Sequence, residues 1–292
     1  MLGTSAKYFF ALCFSLWCAA SFTGCDEVEA PYAQKRIIAD TTQQDTTELQ
    51  QQVLLEEFTG IKCGQCPAAT QKARELAALY PGRVHMIALH AGSFAVPRAP
   101  YKKDFRTPEG DELLNVFASG TAGFPFAMVN RTKLNGVFIL GVDGWAAAID
   151  EVLRRKPGMG IKLQAGQLQA DSTMQIIADL DYRKEGNENQ HLAVYIVEDS
   201  IVYNQKDYRR VNQGFTDDLD TSYVHMHMLR GSVGRFGTWG EPLGIISAGQ
   251  KVRKIYTVDF RGRGWKKHNC SIIAFVHDRT LTEILQVATV HL

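Results

Sequence analysis

Cys63 and Cys66 stand two residues apart in Cys63-Gly64-Gln65-Cys66-Pro67. At that spacing two thiols can close a small disulfide ring and open it again by thiol–disulfide exchange. Residues 53–58, Val-Leu-Leu-Glu-Glu-Phe, precede the pair and read as a buried strand, and residues 67–80 follow it and read as a helix. The junction has chemical consequences. A helix N-terminus stabilises a thiolate on the first cysteine, and the charge of Lys62 acts in the same direction. Cys63 is therefore expected to be the exposed nucleophile, with Cys66 inside the helix as the resolving thiol.

Two further residues fit that chemistry. Glu57 lies six residues before Cys63 on the incoming strand, the spacing of the buried acid in thioredoxins that takes the proton of the second cysteine. Burial would raise its pKa toward that role. Glu56 and Glu57 are adjacent, so on a strand they face opposite ways, and a solvent-facing Glu57 would have no such role. Pro125, in Gly123-Phe124-Pro125 just before the apolar run from Phe126 to Asn130, occupies the position of the cis-proline that thioredoxin-like proteins pack against the pair.

Other readings of the pair stand beside this one. The bond between Cys63 and Cys66 can be a static structural disulfide. A zinc site would need more ligands; His225 and His227 have the i, i+2 spacing of one strand face but belong to another part of the chain. No metal and no cofactor is expected. Cys270, in an apolar run, reads as a buried free thiol or as a further resolving thiol.

The surrounding elements follow from periodicity. Residues 52–156 give the order strand, helix, strand, long loop, helix, strand (126–130), strand (136–140), helix, which is that of the thioredoxin fold. After the break at Pro157-Gly158-Met159-Gly160, residues 157–292 change character. The runs 160–168, 173–182, 192–198, 223–230, 252–260, 271–276 and 284–290 read as strands with no long helical pattern, and predict a β-sandwich. The expected fold class is thus an α/β thioredoxin-like domain followed by an all-β sandwich domain. Residues 91–109 form a long loop, and His90, just before it, and Arg106, within it, are candidates for a substrate groove. A glycine-rich loop at 231–244 lacks the Lys-Ser or Lys-Thr of a phosphate loop.

The N-terminus supplies an address. In residues 1–24 Lys7 is the only charge, and residues 8–22 are mostly apolar, as in a signal peptide. Phe22-Thr23-Gly24-Cys25 resembles a bacterial lipobox, with Cys25 as the acylated residue and the membrane as its partner; cleavage near Ala19-Ala20 is the other possibility. Residues 25–51 are polar, rich in Thr, Gln, Asp and Glu, and predict a flexible tether. The chain of 292 residues has 32 Lys and Arg against 31 Asp and Glu, so loss of Lys7 leaves the two signs equal. That balance argues against nucleic acid as a partner, even with the basic run from Arg261 to Lys267.

These stretches resemble a known family, the outer-membrane-protein family of anaerobic Gram-negative bacteria named for a member of twenty-eight kilodaltons. The resemblance runs through Glu57-Phe58-Thr59-Gly60 with the cysteine pair, residues 89–95, Gly123-Phe124-Pro125, Val129-Asn130-Arg131, Tyr223-Val224-His225 and residues 269–276. It implies a thioredoxin-like domain and a β-sandwich on an outer-membrane lipoprotein, described as a surface antigen or adhesin. Compared with thioredoxins, the chain lacks Trp before the first cysteine and Gly-Pro between the two. The expected partners are accordingly protein thiols and disulfides, or a surface ligand.

Overall fold

Two parallel strands carry the cysteine pair. β1 (Val53–Thr59) runs beside β2 (Val84–His90), with Val53 opposite Val84 and Thr59 opposite His90. All of β1 and most of β2 is buried, as strands covered on both faces must be. The crossover between them is helix α1 (Cys66–Leu79), which buries Ala69, Ala73 and Leu76 from one stripe. Helix α2 (Pro108–Ala118) starts where Thr107 accepts a hydrogen bond from the Gly110 N–H, with Pro108 in its first turn and Glu109 and Asp111 at its positive end. β3 (Phe126–Val129) pairs antiparallel with the other edge of β1, and α3 (Trp145–Leu153) follows.

The strand expected at 136–140 does not form. That stretch makes only isolated bridges, Leu134 with Val137 and Leu140 with Ala127, because Gly136 takes a φ of 84° and its neighbours stay exposed. Downstream, the periodic runs become β4 (Met159–Ala165), β5 (Thr173–Tyr182), β6 (Gln190–Glu198), β7 (Met228–Ser232), β8 (Lys251–Asp259), β9 (Cys270–Asp278) and β10 (Ile284–His291). The run predicted at 223–230 is broken by His227, whose φ is 54°.

The main sheet crosses the break at 157–160. Its order is β10-β9-β6-β7-β2-β1-β3, with β7 parallel to β2 and antiparallel to β6. A three-stranded antiparallel sheet, β8-β5-β4, covers one face of β6 and β9. Alternation sorts the side chains: Leu192, Val194 and Ile196 face that small sheet, while Ala193, Tyr195 and Val197 face the other way, into a core with Leu54, Phe58, Leu89 and Leu113. One core is therefore shared across residues 156/157, while the clusters around Trp145 and around Tyr182 each draw on one side alone. The molecule is mixed α/β with extensive sheet and a small helical share.

The computed structural model describes residues 49–120 and 123–292. The signal segment, Cys25 and most of the predicted tether lie outside the described residues. The tether's last residue is part of the fold, since Gln51 is buried and its amide donates to the Leu285 carbonyl at 3.0 Å.

Candidate functional site

The chain leaves β1 through Gly60 and Ile61, turns, and enters α1 at Cys66. The turn is closed by the Cys63 N–H on the Gly60 carbonyl (2.9 Å) and the Cys66 N–H on the Cys63 carbonyl (3.3 Å). Cys63 and Cys66 are joined in a disulfide with their Cα atoms 5.4 Å apart. No side chain caps the first turn of α1 and no acidic residue sits in it. The positive end of the helix dipole is left to act on the sulfurs.

Cys63 is not exposed as the sequence suggests. It is 2% accessible and Cys66 1%. Residues 205–208, far along the chain, lie against the loop that carries them. The Lys206 N–H donates to the Ile61 carbonyl and the Tyr208 N–H to the Gly64 carbonyl, both at 2.9 Å. The Gln205 side-chain amide donates to the Cys63 carbonyl at 3.0 Å and to Gly60 at 3.3 Å. The Tyr208 ring lies against Gly64, where a Cβ would come within 2.5 Å of it.

Glu57 reaches the helix that carries Cys66 through Thr70. Glu56 and Glu57 do face opposite ways, and both are buried. Glu57 points toward α1, where the Thr70 hydroxyl donates to its carboxyl oxygens at 2.8 and 3.1 Å. Thr70 is one helical turn beyond Cys66, on the same side of α1. Burial raises the Glu57 pKa from 4.5 to about 8, while the Thr70 hydrogen bond pulls the other way. At neutral pH this carboxyl is mostly protonated. A cavity of about 10 Å³, close to the room one water needs, is lined by Cys66, Thr70, His90, Gln205, Tyr223 and His225. Burial pushes His90 well below its ordinary pKa and His225 down to about 4, and their rings stand 5.4 Å apart. His90 Nδ1 and His225 Nε2 have no hydrogen-bond partner.

Pro125 is half-buried at the entrance to β3, and its peptide bond with Phe124 is cis. Phe126, next in the chain, pairs with Phe58 of β1, so the Pro125 loop and the cysteine loop leave the sheet from neighbouring strands. Other candidates stay apart. Cys270 is a free, fully buried thiol in the core between the two sheets, where burial pushes it up to about 12. His227 turns away from His225 to pair with Asp199 at 3.2 Å, and no group of three or more metal-ligating residues converges among the described residues. Arg106 pairs with Asp104 near the surface at 2.7 Å and joins no groove with the buried His90. In the glycine-rich loop, Trp239 packs under Arg131 and Arg279 rather than presenting a ligand surface. A larger cavity of about 240 Å³ is lined by Arg155, Lys156, Tyr182, Lys184 and Glu283; it shares no residue with the cysteine site, and its Arg155 is already paired with Glu283.

Sequence reasoning missed Gln205 and Tyr208, and gave Tyr223 no part in the site, because only long-range pairing brings them here. Thr70 was within reach, since a hydroxyl four residues after Cys66 must share its helix face.

Comparison with known proteins adds to this geometry. The structure is similar to HBP35 of Porphyromonas gingivalis, with a TM-score of 0.61 at 17% identity, over 84% of this chain and 76% of that one. It is similar also to a protein of Agrobacterium tumefaciens, with a TM-score of 0.50 at 11% identity, over 84% of this chain and 96% of that one. These likenesses speak to fold alone. A domain of the outer membrane lipoprotein Omp28 from Porphyromonas gingivalis matches 47% of this chain and 90% of its own at 20% identity, but its TM-score of 0.30 is too low to bear on the fold. No curated protein matches. The family model described as outer membrane protein Omp28 matches residues 113–292, more than half of the chain. The chain belongs to the Omp28 family, and its location is the outer membrane.

Proposed function

We propose that Cys63 and Cys66 carry out thiol–disulfide exchange on a thioredoxin-like framework formed by β1, α1, β2 and β3. The observation that supports this best is Glu57. A carboxyl buried without a cation costs stability, and a static staple between a loop and a helix has no use for it. An exchanging pair does, because Cys66 must gain and lose a proton in a site closed to bulk water.

A substrate thiolate attacks Cys63 Sγ, the bond to Cys66 breaks, and Cys66 leaves as a thiolate that takes the proton held by Glu57. A second substrate thiol then attacks the substrate sulfur of the mixed disulfide and releases Cys63, whose sulfur takes the proton that thiol gives up. The substrate has gained a disulfide and the protein a dithiol; run backwards, the same steps reduce a substrate, with Glu57 as the base for Cys66. The partners are protein thiols and disulfides of the cell envelope. On this reading the chain is anchored by lipid on Cys25, so that Cys25→Ala loses lipid labelling; retained labelling would remove the anchor.

A second reading rests on the burial of both sulfurs. In it the disulfide holds the loop rigid beneath a non-enzymatic surface for a ligand. Turnover of a model disulfide separates the two. Exchange predicts turnover in the wild type, its loss in Cys63→Ser, and mixed disulfides trapped through Cys63 in Cys66→Ser. A wild type without turnover, together with a Cys66→Ser protein that traps nothing, would leave the second reading.

A further inference from the structure

We propose that residues 205–208 form a strap that shuts the Cys63–Cys66 disulfide and must lift before either sulfur can be attacked. That segment lies on the cysteine loop through hydrogen bonds, a kind of contact that can be exchanged for water. Lys206 and Tyr208 each give one backbone N–H, two residues apart, to the Ile61 and Gly64 carbonyls, and Gln205 gives its amide to the Cys63 and Gly60 carbonyls. Apolar contact is limited: Tyr208 is 47% exposed while covering Gly64, and the partly buried Leu219, opposite Lys206, packs against the cluster of Ile61.

The strap also has its own support, so it can move as a body. Gln205 and Lys206 pair with Asp220 and Leu219, and the Asp207 N–H donates to the Asp218 carbonyl at 2.7 Å. These bonds lie within the hairpin and survive its lifting. A hairpin arm held to its neighbour mainly by a few hydrogen bonds, with Leu219 as its apolar contact, opens at far lower cost than the whole fold. Lifting frees the carbonyls of Ile61 and Gly64 and leaves those of Gly60 and Cys63 with only their turn hydrogen bonds. Those carbonyls suit an extended polypeptide whose N–H groups recur every second residue, as in strand addition. The substrate class that follows is an extended or unfolded polypeptide bearing cysteine. This last step rests on the exchange reading; the strap itself does not.

The test is the rate at which dithiothreitol reduces the disulfide in the folded mature chain, compared with a free peptide of residues 60–67. The wild type is expected to react at least about tenfold more slowly than the peptide. Tyr208→Ala removes the ring from one side. Gly64→Ala pushes it away from the other, and Gly64 has no left-handed φ to add backbone strain. Each should accelerate reduction by about tenfold, with the circular dichroism spectrum unchanged and with Gly64→Ala in the peptide as a control for local chemistry. The double variant should be no faster than the faster single one, since both remove the same contact. A wild-type rate equal to the peptide's, variants without effect, or two effects that multiply would overturn the strap. If reduction is gated as described but no model disulfide is turned over, the strap stands and the exchange reading falls.

Discussion

Adjacent residues of β1 carry carboxyl groups into two unlike interiors. Glu56 faces the core shared with the second half of the chain. There it meets Arg131, whose Nε and Nη2 donate to its two oxygens at 2.8 and 2.6 Å, with both side chains fully buried. The guanidinium lies over the rings of Phe117, Trp239 and Phe275 at 5.0 to 5.7 Å. Burial alone would weaken that charge, but Glu56 outweighs it and holds the Arg131 pKa above its ordinary value. Glu57 faces α1 and has only the Thr70 hydroxyl. The same residue type, one position apart and equally buried, is fixed as an ion pair on one face and left titratable on the other. Burial alone thus does not determine what a carboxyl is for; the presence or absence of a buried cation does.

The largest expected effect is on the Glu56 face. Arg131→Met leaves the Glu56 carboxylate buried without its cation and should destabilise the fold by about 3–5 kcal/mol. Adding Glu56→Leu should recover most of that loss, because an apolar pair removes the unpaired charge rather than exposing it. Urea unfolding of the two variants measures both. If Arg131→Met alone costs less than about 1 kcal/mol, the pair is not the fixed element that distinguishes the two faces.

How much of this contrast was legible in the sequence depends on the reach of the signals involved. The opposite facing of Glu56 and Glu57 follows from the two-residue period of a strand, and their burial from the apolar run around them. The strands and helices were legible for the same reason: residues 173–182 alternate clearly and form β5 over that span. Arg131 was in view only as part of a family-like stretch, since nothing local says that a residue 75 positions from Glu56 will fill the space opposite it. The strap was hidden in the same way. Gln205 and Tyr208 sit in a polar segment with no periodicity, and only the hairpin with residues 219–220 lays them over the cysteine loop. The continuous sheet was missed because the Pro157-Gly158 break and the change of periodicity are local. The Met228–Ala88 bridge that joins the two halves is not.

The smaller and sharper test is on the Glu57 face, and it is a pH dependence. In the unfolded chain the carboxyl titrates near its ordinary 4.5, and in the fold near 8. Between those values the folded state holds a proton that the unfolded state has lost. The contribution of Glu57 to stability should therefore fall as pH rises through that window, by about 1.4 kcal/mol per pH unit at most, and level off above pH 8, against the opposite trend of the buried histidines His90 and His225. Glu57→Gln carries no such proton. Its unfolding free energy minus that of the wild type should be near zero at pH 4, climb through the window and then plateau, with all other titrating groups cancelling in the difference. Thr70→Val refines the same measurement. It removes the one hydrogen bond that lowers the Glu57 pKa, so the fall should continue to higher pH, and the variant should lose about 1 kcal/mol more than the wild type once the carboxyl ionises. A Glu57→Gln difference that is flat from pH 4 to 9 would mean that Glu57 is not the titrating group. The two faces of β1 would then not differ in the way the geometry requires.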